Sequence, residues 1–89
     1  MFSQRIYAEI VRVTQRALEE LHSLNAIEQI TIGRGYAQLA PHSGTNYDAK
    51  LRTSMERLLE FAKKEKQRQL TSELEALADR LLTTSSLIV

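Results

Sequence analysis

Four basic side chains, Lys50, Arg57, Lys64 and Arg68, follow one another at intervals of seven, seven and four residues. On a helix turning ~100° per residue they fall within about 40° of one another. At about 1.5 Å of rise per residue the line is roughly 27 Å long. Such a line can track a phosphate backbone, because each Lys or Arg contact releases condensed counterions. Its plainer role is a solvated face, with Glu60 between Arg57 and Lys64 offsetting their charge. Arg5, Arg12 and Arg16 form a second, shorter line. The segment Gly33-Arg34-Gly35-Tyr36 adds a flexible arginine and an aromatic ring able to stack on a base. Alternating strands do not surround it, and it lacks the Gly-Lys-Ser/Thr ending of a phosphate-binding loop. A plain turn is its ordinary reading. The candidate nucleic-acid contacts are therefore Lys50, Arg57, Lys64, Arg68 and Arg34.

Groups suited to covalent or acid–base chemistry are few. His42 and Ser43 are adjacent, and neighbouring residues rarely aim at one atom; no orienting acid accompanies them. The two histidines are far apart and there is no cysteine, so no metal-ligand spacing exists. The expectation is a non-catalytic protein with no metal and no cofactor. Arg16 and His22 stand six apart. That Arg-x(4–6)-His spacing resembles HEPN-type ribonucleases, a helical family. The resemblance covers these two residues and implies a ribonuclease site at them. Ala17 stands where the family commonly carries a polar residue.

The elements that would position these residues are helices. Phe2, Ile6, Ile10, Val13, Ala17, Leu21 and Leu24 recur at three and four, predicting an amphipathic helix over about 2–24. Asn25 to Glu28 has capping spacing, and a short helix is predicted over 26–32. Gly33 and Gly35 each cost a helix about 1 kcal/mol relative to alanine. Pro41-His42-Ser43-Gly44 is turn-rich. A Gly/Pro loop is therefore predicted over 33–45.

Thr45 and Asp48 stand at capping-box spacing and open a stretch free of Gly and Pro to Thr83. Leu51, Met55, Leu58, Leu59 and Ala62 form one apolar face, centred near ~20° on a wheel with Leu51 at zero. Leu70, Leu74, Leu77 and Leu81 form another, centred near ~110° on the same wheel. This quarter-turn rotation predicts two helices, 46–69 and 71–83, with Ser72 to Glu75 as a second capping box. The alternative is one bent helix whose second half packs on another subunit. The fold expected is all-α, a small bundle of three to four helices, with the first antiparallel to the 46–69 helix.

Eighty-nine residues make one helical domain, 1–89, with an apolar tail at 84–89 that ends Leu87-Ile88-Val89. A chain this short has little core of its own. The rotated leucine row and the apolar tail thus predict a partner interface at Leu70, Leu74, Leu77 and Leu81, filled by a second copy or a larger partner. With 43% hydrophobic and 26% charged residues the composition is that of a globular chain. No stretch approaches the ~18 apolar residues of a membrane span. The absence of cysteine suits a reducing cytoplasm. A net charge of +1 gives no bulk attraction to polyanions, so any such role rests on local clustering. The functional expectation is a helical protein–protein assembly or adaptor protein. The alternative is a helical subunit of a nucleoprotein complex, and the remote one a HEPN-like ribonuclease.

Overall fold

The computed structural model describes residues 2–88, and side chains as far as Leu82. It holds four helices: α1 (Gln4–Glu20), α2 (Leu24–Ser43), α3 (Asp48–Lys64) and α4 (Arg68–Ile88). Packing runs α1 on α2, α2 on α3, α3 on α4 and α4 back on α1. The result is a small up-down-up-down bundle, all-α as the periodicity predicts. Side chains of the apolar tail at 84–89 lie outside the described residues.

Helices α1 and α3 sit on the bundle diagonal and are parallel. Tyr7 and Asp48, near their starts, are hydrogen-bonded. His22 and Ser23, just past the end of α1, both reach Glu65 at the end of α3. The expected antiparallel pairing of these two helices is therefore corrected. The short connections place α2, not α3, beside α1 in the reverse direction.

Serine caps open the first two helices. Ser3 Oγ accepts from the Ile6 N–H at 3.3 Å, and Ser23 Oγ from the Ala26 N–H at 3.2 Å. The cap expected at Asn25 is thus two residues earlier. The cap expected at Thr45 does not form: Tyr47 is the N-cap residue of α3 and makes no side-chain cap bond, while Asn46 Oδ1 accepts from the Asp48 N–H at 3.0 Å in the turn ahead of the helix.

The largest departure from the sequence expectation is α2. It passes through Gly33, Gly35 and Pro41, so the loop predicted over 33–45 shrinks to residues 44–47. Ala26, Ile30, Gly33, Ala37 and Ala40 are buried at steps of four and three, forming a narrow seam of mostly small side chains. A Cβ on Gly33 would lie 2.9 Å from Met55 Cε and 3.4 Å from Ser54 Cβ. Glycine at 33 therefore leaves room for the Met55 side chain of α3 in the seam. Tertiary packing along this seam outweighs the local propensity cost. Pro41 lies in the last turn, where its missing N–H removes one bond. Gly44 then ends the helix at φ +71°.

The chain breaks between α3 and α4 at 65–67, ahead of the predicted 67–71, and Ser72 lies inside α4 rather than capping it. Lys66 takes φ +60°, in the left-handed region. The Gln67 N–H reaches back to the Ala62 carbonyl at 2.9 Å, closing a Schellman-type turn. A lysine holds the position that glycine usually holds. Replacing Lys66 by glycine should therefore raise stability by about 0.5–1 kcal/mol in urea unfolding. No gain would mean that the lysine side chain makes compensating interactions.

The reversal at Lys66 explains the rotated leucine stripe. Once the chain turns back, Leu70, Leu74, Leu77 and Leu81 face the same centre as Leu51, Met55 and Leu58, and all are buried. They join Ile10, Val13, Leu21 and Ile30 in one core cluster. The leucine row is thus interior, and the partner interface expected there is corrected.

Candidate functional site

With the leucine row internal, the molecule's distinctive surfaces lie on α3 and α2. Seven of the twelve basic residues fall between positions 50 and 68, against three acids, a local net charge of +4; the remainder of the chain carries −3. Lys50, Arg57 and Lys64 are exposed along the outward face of α3, and Arg68 is exposed at the start of α4. Among the described residues none of the four has an ion-pair partner, whereas Lys63 reaches Glu75 at 3.8 Å. Glu56 and Glu60 are exposed further round the helix, about 40–120° from the basic residues of α3.

At its first end the basic line meets two aromatic rings. Tyr36 from α2 stacks on Tyr47 from the α2–α3 connection, with centroids 5.2 Å apart and planes at 24°. Lys50 Nζ sits 5.6 Å from one ring centre and 5.5 Å from the other, a double cation–π contact. Beside them a groove of about 350 Å³ opens between α2 and α3, lined by Ile32, Tyr36, Lys50, Thr53, Ser54 and Arg57. At the other end, Lys63, Lys66 and Arg68 line an open depression at the α3–α4 turn with Thr71 and Ser72.

Arg34 is separate from this line. It lines a different groove, between α1 and α2, with Leu18, Thr31 and Gln38. The second basic line on α1 is largely neutralised. Arg16 pairs with Glu73 of α4 at 2.6 Å and with Glu20 at 3.3 Å, while Glu9 meets both Arg80 and Arg12. Arg16 is thus held against α4, while His22 is exposed beyond the end of α1 and gives its backbone N–H to Glu65. The two residues of the HEPN resemblance occupy different elements. His42 and Ser43 are exposed on the last turn of α2 rather than in a loop. Among the described residues no three His, Asp or Glu side chains gather where a metal ion could be held.

Two polar contacts tie the ends of the bundle. At one end Tyr7 donates to Asp48 Oδ1 at 2.9 Å and accepts from the Phe2 N–H at 3.2 Å, and both side chains are buried. Burial first, and donation to the carboxylate second, push the Tyr7 hydroxyl up to about 12. At the other end Glu65 accepts from the His22 N–H and the Ser23 hydroxyl, both at 3.0 Å. These donors, the backbone N–H foremost, hold its carboxyl below the usual carboxylate range.

The outer face of α2 was not singled out in the sequence. Over its 20 residues the helix carries only Glu28 and Arg34 as ionised side chains. It leaves Leu24 at 85%, Leu39 at 55% and Ile32 at 36% exposed. Its apolar residues show almost no sidedness, so the wheel that resolved α1 and α3 does not resolve it. The usable signal was the scarcity of charge itself.

No protein-family model matches the chain, and no curated protein or solved structure matches it. Among the described residues no helix is long and apolar enough to cross a membrane.

Proposed function

We propose that the protein is a non-catalytic helical assembly unit that pairs with a second copy of itself through the outer face of α2. The observation that carries this is the exposure of Leu24, Ile32 and Leu39 on a helix nearly free of charge. The two ends of the face mirror one another in sequence, Leu24-Asn25 against Gln38-Leu39. In an antiparallel pairing centred between Thr31 and Ile32, Leu24 of one copy meets Leu39 of the other. Asn25 then meets Gln38, and Glu28 meets Gly35, where nothing lies within 4 Å of a would-be Cβ. A two-fold interface needs this kind of self-complementarity. Three apolar side chains per copy make a small patch, so the association is weak and reversible. A cysteine-free chain of this kind suits the cytoplasm.

Sedimentation equilibrium from about 10 μM to 1 mM covers associations of roughly −4 to −7 kcal/mol. The expected result is a monomer–dimer equilibrium that disappears in the Leu24→Glu/Leu39→Glu variant while the melting temperature holds. A 10.2 kDa monomer across the whole range would overturn the reading.

A further inference from the structure

We infer that the basic face of α3, with the groove it shares with α2, is a binding site for single-stranded nucleic acid. The surface adjoins the self-pairing face and shares Ile32 with it, but its cations lie on α3 and α4 and take no part in self-pairing. Three features coincide on this one surface. Lys50, Arg57 and Lys64 share one face of α3 and Arg68 stands across the turn at the start of α4, all without ion-pair partners among the described residues, although the rest of the chain is net negative and rich in pairs. The stacked Tyr36 and Tyr47 stand at the end of that line, held under Lys50. Tyr36 also lines a groove of about 350 Å³, the lower end of small-ligand pocket size.

The combination selects among polyanions. An acidic peptide would use the cations but has no need of tyrosines beside them. A membrane surface calls for several large apolar side chains among the cations, and among the described residues Ile32 is the single exposed large hydrophobe lining this groove. In a duplex the bases are stacked inside and present no face to a tyrosine. A single strand offers both a backbone for the basic line and unstacked bases for the aromatic end. From Lys50 to Lys64 the α3 face spans about 21 Å at 1.5 Å per residue, a length to hold a few nucleotides, within the about 4–16 that single-strand sites commonly cover.

The test is fluorescence anisotropy with the intact chain and labelled oligouridylate and oligothymidylate of about 12 nucleotides across a salt series. Binding at low salt that weakens as salt rises is expected, with weaker binding to a hairpin duplex, polyglutamate and phosphatidylserine vesicles. Arg57→Glu with Lys64→Glu should lower affinity at least tenfold and flatten the salt slope by about 0.7 for each phosphate no longer neutralised. Tyr36→Ala should lower it about five- to a hundredfold with little change in slope, as removal of one stacking platform does. Arg5→Gln, on α1, should leave both unchanged. Circular dichroism checks that each variant is folded; should Tyr36→Ala unfold, Lys50→Gln with Arg57→Gln, at exposed positions, replaces it. No binding at low salt, equal binding of duplex or polyglutamate, or affinity indifferent to the α3 variants would each overturn the inference.

Discussion

Replacing Leu74 by alanine is expected to destabilise the protein by about 2–5 kcal/mol, whatever the protein concentration. Leu74 is completely buried, together with Leu70, Leu77 and Leu81, by this chain's own α1 and α3. Truncation removes the transfer free energy of the deleted carbons and leaves a cavity that four tightly packed helices fill poorly. Small domains have in total about 5–15 kcal/mol of stability, so the loss is a large share of it. Leu58→Ala, equally buried on α3, should behave alike, while Leu39→Ala on the exposed face of α2 should stay within about 0.5 kcal/mol. Urea unfolding at two protein concentrations checks this. A Leu74→Ala cost that vanished on dilution would return the leucine row to an interface between copies.

The same leucines show how far the sequence alone reaches. The apolar spacing in α1, α3 and α4 revealed the helices and most of the core, Leu21 and Leu58 included, because a one-sided stripe points inward on any helix that packs. It also revealed the quarter-turn rotation after Gln69. The rotation has two physical readings: a new partner for a continuing helix, or a reversal that brings the same face back to the same core. Gly usually marks the second, and here a lysine occupies the left-handed position, so the mark was absent. Helix α2 was missed for the opposite reason. Gly33, Gly35 and Pro41 all argue locally for a loop, and the seam that overrides them depends on α3 arriving beside Gly33. The basic line was legible as far as Lys64, because Lys50, Arg57 and Lys64 share one helix; placing Arg68 on it assumed a helix that instead breaks at 65–67. Its aromatic end was not, since Tyr36 and Tyr47 meet only once α2 continues past Gly35 and turns at Gly44.

Tyr7→Phe should cost about 1.5–3 kcal/mol at neutral pH, the range for a hydrogen bond to a charged partner. Tyr7 is only 2% exposed and Asp48 only 8%, so neither can exchange its partner freely for water. Phenylalanine keeps the ring and its contact with Phe2, whose centroid lies 6.1 Å away, but removes the donor to Asp48 and the acceptor for the Phe2 N–H. A buried carboxylate deprived of a donor, not poorer packing, is the source of the cost. The same contact has a signature in alkali. The Tyr7 hydroxyl holds its proton up to about 12 in the folded protein, against 10.0 for an ordinary tyrosine. Its contribution is therefore complete below pH 10.0 and drains away as the pH rises through about 12. The decline is at most about 1.4 kcal/mol per pH unit, because one proton is involved. Tyr7→Phe should lack this alkaline component and so lose less stability than the parent between those pH values. Urea midpoints measured from neutral pH to pH 12 for both proteins provide the comparison. Parallel curves, or a neutral-pH cost under about 0.5 kcal/mol, would show that the Tyr7–Asp48 contact does not hold the starts of α1 and α3 together.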